Sequence, residues 1–237
     1  CQAVLNGDRF LGEQTQQSPI VYLSEQGPSS FKESLRRAGL LERKDLIILC
    51  WPDAFGQSWP DIVQSAVEEC IKHRAKLMIV DTLPQFARLS GDEENDAGKA
   101  LEVMQPLQAA AGKYKIGVVD ARHERKSGGA VGLSGRGSTA FTGAVDIVLS
   151  LSRPGGKHDA NVRMLQSLSR FEATPETTFI EWTDEGYISL GGNSDIMMQQ
   201  NKKALLAAMP LEEADAITVR DLCDKVMMKT TTAREAV

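Results

Sequence analysis

The sequence predicts an α/β fold built on a mostly parallel sheet with helices on both faces, followed by an antiparallel extension and a small helical tail. Three observations carry that expectation. Short, continuously apolar, β-branched runs recur along the first 150 residues, as strands buried on both faces require. Amphipathic helical stretches separate them, the alternation that produces right-handed crossovers and a parallel sheet. Beyond about residue 160 the pattern changes to short strands joined by Pro, Glu and Gly turns.

Taken in order, Cys1–Gly7 reads as a helix tail, with Gly7 at the position where a left-handed residue ends a helix. Pro19-Ile-Val-Tyr-Leu-Ser24 and Asp45-Leu-Ile-Ile-Leu-Cys50 read as strands. After Trp59-Pro60, the residues Ile62, Val63, Ala66, Val67, Cys70 and Ile71 share one helical face, with Glu68, Glu69, Lys72 and Arg74 opposite. Pro60 in the first turn costs nothing, because its missing N–H would be unsatisfied there anyway. Lys76-Leu-Met-Ile-Val-Asp81 is the next strand. Glu94 to Lys113 is expected to be helical, kinked or restarted near Pro106. Lys115–Asp120 and Val145–Ser150 complete the apolar set.

Arg163–Ser169, Thr177–Trp182 and Tyr187–Leu190 are expected as antiparallel strands, and Gly191-Gly192-Asn193 as a linker. The expected organisation is a core over 1–192 and a short helical tail over 193–237, where Thr218-Val-Arg-Asp221 and Thr232-Ala-Arg-Glu235 have capping-box spacing. A helix tail at the start and a helix start at the end suggest an excerpt of a longer protein.

Composition narrows the function. The 237 residues carry 27 Lys+Arg against 32 Asp+Glu, a net charge of -5, which argues against a protein that coats nucleic acid by overall charge. No apolar run approaches the roughly 18 residues of a membrane span. The 4 cysteines and 3 histidines are scattered, which excludes a metal-ligand spacing and suits a reducing cytoplasm.

The chemistry-bearing residues lie just past strand ends, the edge at which α/β proteins bind ligands. Asp81, followed by Thr82, ends one strand; such an acid can hold Mg²⁺ through water or simply begin a loop. Glu25 ends another, placed to orient and deprotonate a water or to favour a helix start. After Asp120 the chain becomes Gly-rich and basic, with Arg122, Arg125, Lys126 and Arg136 opposed only by Glu124. That segment suits phosphate, or is a solvated loop. Gly135-Arg-Gly-Ser-Thr-Ala140 fits GxGxxA in form, but no strand precedes it, so it is not a dinucleotide fingerprint. The pattern GxxxxGK[ST] is absent.

Together, Val21-Tyr-Leu-Ser-Glu25, Leu77-Met-Ile-Val-Asp81-Thr-Leu, Glu94-Asn-Asp-Ala-Gly98, His123-Glu-Arg-Lys126-Ser-Gly-Gly, Ser134-Gly-Arg136-Gly-Ser-Thr-Ala-Phe and Gly143-Ala-Val-Asp146-Ile-Val resemble, in order, RecA-like P-loop ATPases of the RepA-type hexameric replicative helicase group. The resemblance covers roughly residues 1–190. It implies ATP and Mg²⁺ as cofactors, single-stranded DNA as partner and a homo-oligomer, a hexamer in that family. It implies Glu25 as catalytic base, Asp81 as the Mg²⁺ acid with Thr82 beside it at the nucleotide, and His123 as γ-phosphate sensor. Arg136 would be an arginine finger reaching a neighbouring subunit's nucleotide, and Arg125 and Lys126 would touch DNA in a central channel. Gly7-Asp-Arg-Phe10-Leu-Gly12 matches the segment that follows the P-loop helix, which places the expected P-loop upstream of Cys1. The alternatives are a nucleotide-free assembly domain and a regulatory or recombination ATPase that does not unwind DNA.

Overall fold

The computed structural model describes residues 1–123, 131–132, 138–155, 158–184, 186–210, 216–229 and 232–233. They form two compact units, one of 1–150 with 168–171, the other of 151–167 with 172–237.

The first unit begins with α1 (Gln2–Asn6), ended by Gly7 at φ 75°, the left-handed conformation its position predicts. A small ribbon of β1 (Arg9–Phe10) and β2 (Glu13–Gln14) leads to β3 (Ile20–Ser24), α2 (Pro28–Arg37) and β4 (Leu46–Cys50). Then come α3 (Trp59–His73), β5 (Leu77–Asp81), α4 (Leu83–Phe86), α5 (Ala97–Tyr114), β6 (Gly117–Asp120), α6 (Ala140–Gly143) and β7 (Ile147–Ser152). The sheet order is β4-β3-β5-β6, and every pairing is parallel.

The side-chain alternation of these strands feeds two apolar layers. Val21, Leu23, Met78 and Val80 pack against α3 and α5 through Ile62, Ala66, Val103 and Leu107. On the opposite face Ile20 and Leu46 meet Leu5 of α1 and Phe31 and Leu35 of α2. Continuous apolar runs are therefore the correct signal for this sheet, because both faces of β3 are covered. Ser58 caps α3, accepting from the Asp61 N–H, and Asp96 caps α5, accepting from the Lys99 N–H at 2.6 Å. Arg43 ties α1 to the edge of the sheet, donating to the Leu5 carbonyl, Asn6 and Asp45.

Two details depart from expectation. α5 continues through Pro106, so the helix does not restart there, one of the two arrangements expected. The apolar run at 145–150 does not join the parallel sheet: β7 lies outside it, with Ile147 and Leu149 exposed. An apolar run records that a strand can be buried, but not which neighbour it pairs with.

In the second unit β8 (Val162–Ser169), β9 (Thr177–Thr183) and β10 (Gly186–Gly191) form an antiparallel meander close to the predicted spans. Gly192, expected within a linker, instead caps α7 (Asn193–Ala208), whose Ile196 packs on Val162 and Phe179. α8 (Val219–Lys225) opens with Thr218 accepting from the Asp221 N–H, the cap its spacing predicts, and Cys223 packs on Leu205. The expected Thr232–Glu235 box lies partly outside the described residues.

Candidate active site

The site is assembled at the carboxyl ends of β3, β5 and β6. Register sets Ser24 opposite Asp81 and Val80 opposite Asp120. Hydrogen bonding continues past the strand ends. The Glu25 N–H donates to the Asp81 carbonyl at 2.6 Å, Ala121 to Val80 at 2.8 Å, and Leu83 to Ala121 at 3.0 Å. These bonds hold Glu25, Asp81, Thr82 and the Asp120–His123 segment on one edge. The Asp81–Thr82 peptide is cis.

Two carboxylates stand together there, and each accepts from its own hydroxyl. Thr82, itself buried, donates its Oγ1 proton to Glu25 Oε2 at 2.5 Å. Tyr22 Oη donates to Asp81 Oδ2 at 2.6 Å. Both are charge-assisted bonds of the short, strong class. The Tyr22 phenol is pushed well above its ordinary range, by burial first and then by its bond to Asp81 and the charges of Asp81 and Glu25. It therefore remains a proton donor at any physiological pH. Thr82, expected at the nucleotide, donates its hydroxyl proton to Glu25 in this geometry.

One strand over, burial raises the Asp120 carboxyl above the usual carboxylate range, and Arg122 opposes that rise. The Arg122 guanidinium lies 3.7 Å from the centroid of the Phe141 ring, a close cation–π contact. Asp120, Arg122, Phe141 and Thr142 line a cavity of about 140 Å³. His123 follows directly and is exposed. Arg125, Lys126 and Arg136 lie outside the described residues, so the structure brings together Glu25, Asp81 and Thr82 with Tyr22, and sets His123 on the adjoining strand end.

Tyr22 and Asp120 are the participants that the sequence left unassigned. Tyr22 had one available signal: a single hydroxyl-bearing aromatic inside an otherwise aliphatic strand, three residues before the acid. Asp120 had the same strand-end position as Asp81.

Among the described residues, no group of three or more His, Cys, Asp or Glu side chains could hold a metal ion. The donors at the edge are nevertheless hard oxygens: the carboxylates of Asp81 and Glu25. That set fits Mg²⁺, which is held by one or two carboxylates, keeps several waters and completes its shell with phosphate oxygens.

No family model matches the chain, and no curated protein matches it. Among solved structures it is similar to a KaiC-like protein from the hyperthermophilic archaeon Pyrococcus horikoshii, with a TM-score of 0.51 and 14% identity. The likeness covers 73% of this chain and 76% of that one. At that identity it speaks to the fold alone, and the fold is RecA-like: a parallel sheet between helices, with an antiparallel sheet after it. No helix among the described residues is long and apolar enough to cross a membrane.

Proposed function

We propose that this chain is the core of a RecA-like ATPase, an ATP hydrolase that works on single-stranded DNA as a homo-oligomeric ring in the cytoplasm. The observation that supports this most is the side-by-side placement of Glu25 and Asp81 at the carboxyl edge of the parallel sheet, each carboxylate fixed by a hydroxyl donor.

In this reading the free oxygen of Glu25 accepts a proton from the attacking water and aligns it with the γ-phosphate. Thr82 holds that carboxylate in one rotamer, so little orientation is lost when the water arrives. Asp81 holds Mg²⁺ through water, and Mg²⁺ when bound neutralises phosphate charge. His123 contacts the γ-phosphate, Arg136 reaches the nucleotide of a neighbouring subunit, and Arg125 and Lys126 meet the DNA backbone. RepA-type helicase activity and a hexameric ring are the finer form of the proposal, drawn from the motif order.

The phosphates also require a Gly-rich loop with its Lys, and GxxxxGK[ST] does not occur in the 237 residues. That absence favours one second reading, a nucleotide-free assembly domain on the same fold. The deciding assay is ATP hydrolysis by the full-length gene product, with and without single-stranded DNA. Glu25→Gln is expected to lower turnover by about 10²–10⁴ with nucleotide binding retained, and Asp81→Asn to weaken Mg²⁺-dependent binding. No hydrolysis by the full-length product supports the assembly reading, and normal hydrolysis by Glu25→Gln places the base elsewhere. Hydrolysis stimulated by DNA without strand separation indicates a regulatory or recombination ATPase.

A further inference from the structure

We infer that Tyr22 is the positioning residue of the acid site: its hydroxyl fixes one oxygen of Asp81 so that the other is presented to a divalent cation. The inference rests on the reading of Asp81 as the metal acid given above. Its basis is strand geometry. On the paired strands Tyr22 lies opposite Ile79, and Ser24 lies opposite Asp81. Tyr22 and Asp81 are therefore diagonal neighbours on one face, one strand over and two residues along, about 8 Å apart at the backbone. A Ser or Thr at position 22 could not span that distance. A tyrosine can, and the bond it makes is 2.6 Å long.

The ring is itself fixed. It packs on Phe31 of α2 with centroids 5.1 Å apart, and the strand around it is buried. The aromatic body is thus held by the apolar layer while the hydroxyl reaches the polar edge. Asp81 Oδ2 is occupied by this bond, and Oδ1 has no hydrogen-bond donor among the described residues. Thr82 does the equivalent for Glu25, so the two acids are held independently. Nothing else among the described residues holds the Asp81 side chain.

The test uses Mn²⁺ alone, titrated into the 237-residue chain and followed by the electron paramagnetic resonance of the free ion. Outer partners of metal ligands typically contribute 10–100-fold to affinity, so Tyr22→Phe is expected to weaken Mn²⁺ binding about tenfold or more. Tyr22→Phe keeps the ring and its contact with Phe31, so a loss there reports the hydroxyl alone. Asp81→Asn is expected to lose binding. A second readout is spectroscopic: the resonance line shape of the bound Mn²⁺ is expected to differ between wild type and Tyr22→Phe, which keeps the ring and loses only the hydroxyl.

Wild-type affinity in Tyr22→Phe, with binding lost in Asp81→Asn, would sink the positioning role while leaving the acid site standing. Unchanged Mn²⁺ binding in Asp81→Asn, or none in wild type, would remove the acid site and this inference with it.

Discussion

Pro106 offers a stability experiment whose predicted sign is the less common one. It lies inside α5, which runs from Ala97 to Tyr114 without interruption. Proline there cannot donate to the Glu102 carbonyl, and its ring crowds the preceding turn. Together these make it about 3 kcal/mol worse than Ala in a helix interior. Against this, proline narrows the unfolded ensemble, and replacing it returns about 0.4–1 kcal/mol of chain entropy to the unfolded state. The difference predicts that Pro106→Ala stabilises the first unit by about 2 kcal/mol. Neighbouring Val103, Met104 and Leu107 are buried, whereas Pro106 is only half-buried, so little packing is lost.

With a urea slope of about 2 kcal/mol/M, the midpoint should rise by about 1 M. Trp59 is a suitable reporter, because its indole N–H donates to the Val103 carbonyl of α5 at 2.8 Å. Changing Trp182 of the second unit to Phe in both proteins confines the fluorescence to Trp51 and Trp59. A midpoint that stays or falls in Pro106→Ala would refute the reasoning. It would mean that the helix bends around the ring and that the core is fitted to that bend.

Two further outcomes follow from local geometry. Gly132 has φ +84°, and a Cβ there would lie 2.8 Å from Leu168 Cδ2 and 3.1 Å from Thr142 Cγ2. Gly132→Ala should therefore cost about 2 kcal/mol or more through backbone strain and overpacking, read as a fall in thermal midpoint of several degrees; an unchanged midpoint would contradict this. Burial pushes the Cys70 thiol up to about 11 from 9.0, with the Glu69 charge adding to the rise. Between those values the unfolded chain loses its proton first, so stability should fall as pH rises from 9 to 11, by at most about 1.4 kcal/mol per pH unit. Urea titrations at pH 8–10.5 should show a flatter decline in Cys70→Val; equal declines would assign the effect to other groups.

The sequence by itself determined the four strands that form the parallel sheet, though not that the run at 145–150 stays out of it, together with the fold class and the strand-end position of the acids. The physical reason is local. A strand covered on both faces needs an unbroken apolar run, as in Ile20–Leu23 and Leu77–Val80, and the first polar residue after that run falls at the rim. Caps were equally legible at Gly7 and Thr218, because a helix end is satisfied by residues within three or four positions of it.

Only the tertiary structure decided which strands are neighbours, and much of the site depends on that. β7 has the same apolar character as β5 yet stands outside the parallel sheet, since composition does not encode pairing. Pro106 obeys its helix rather than its propensity, because the buried face of α5 against α3 outweighs one lost hydrogen bond. The bonds from Tyr22 to Asp81 and from Thr82 to Glu25 join residues 59 and 57 positions apart. They exist because β3 and β5 pair in one register, and a slip of one residue would turn Tyr22 to the opposite face. The acids were readable where they stand, but the donors that orient them arise from the register alone.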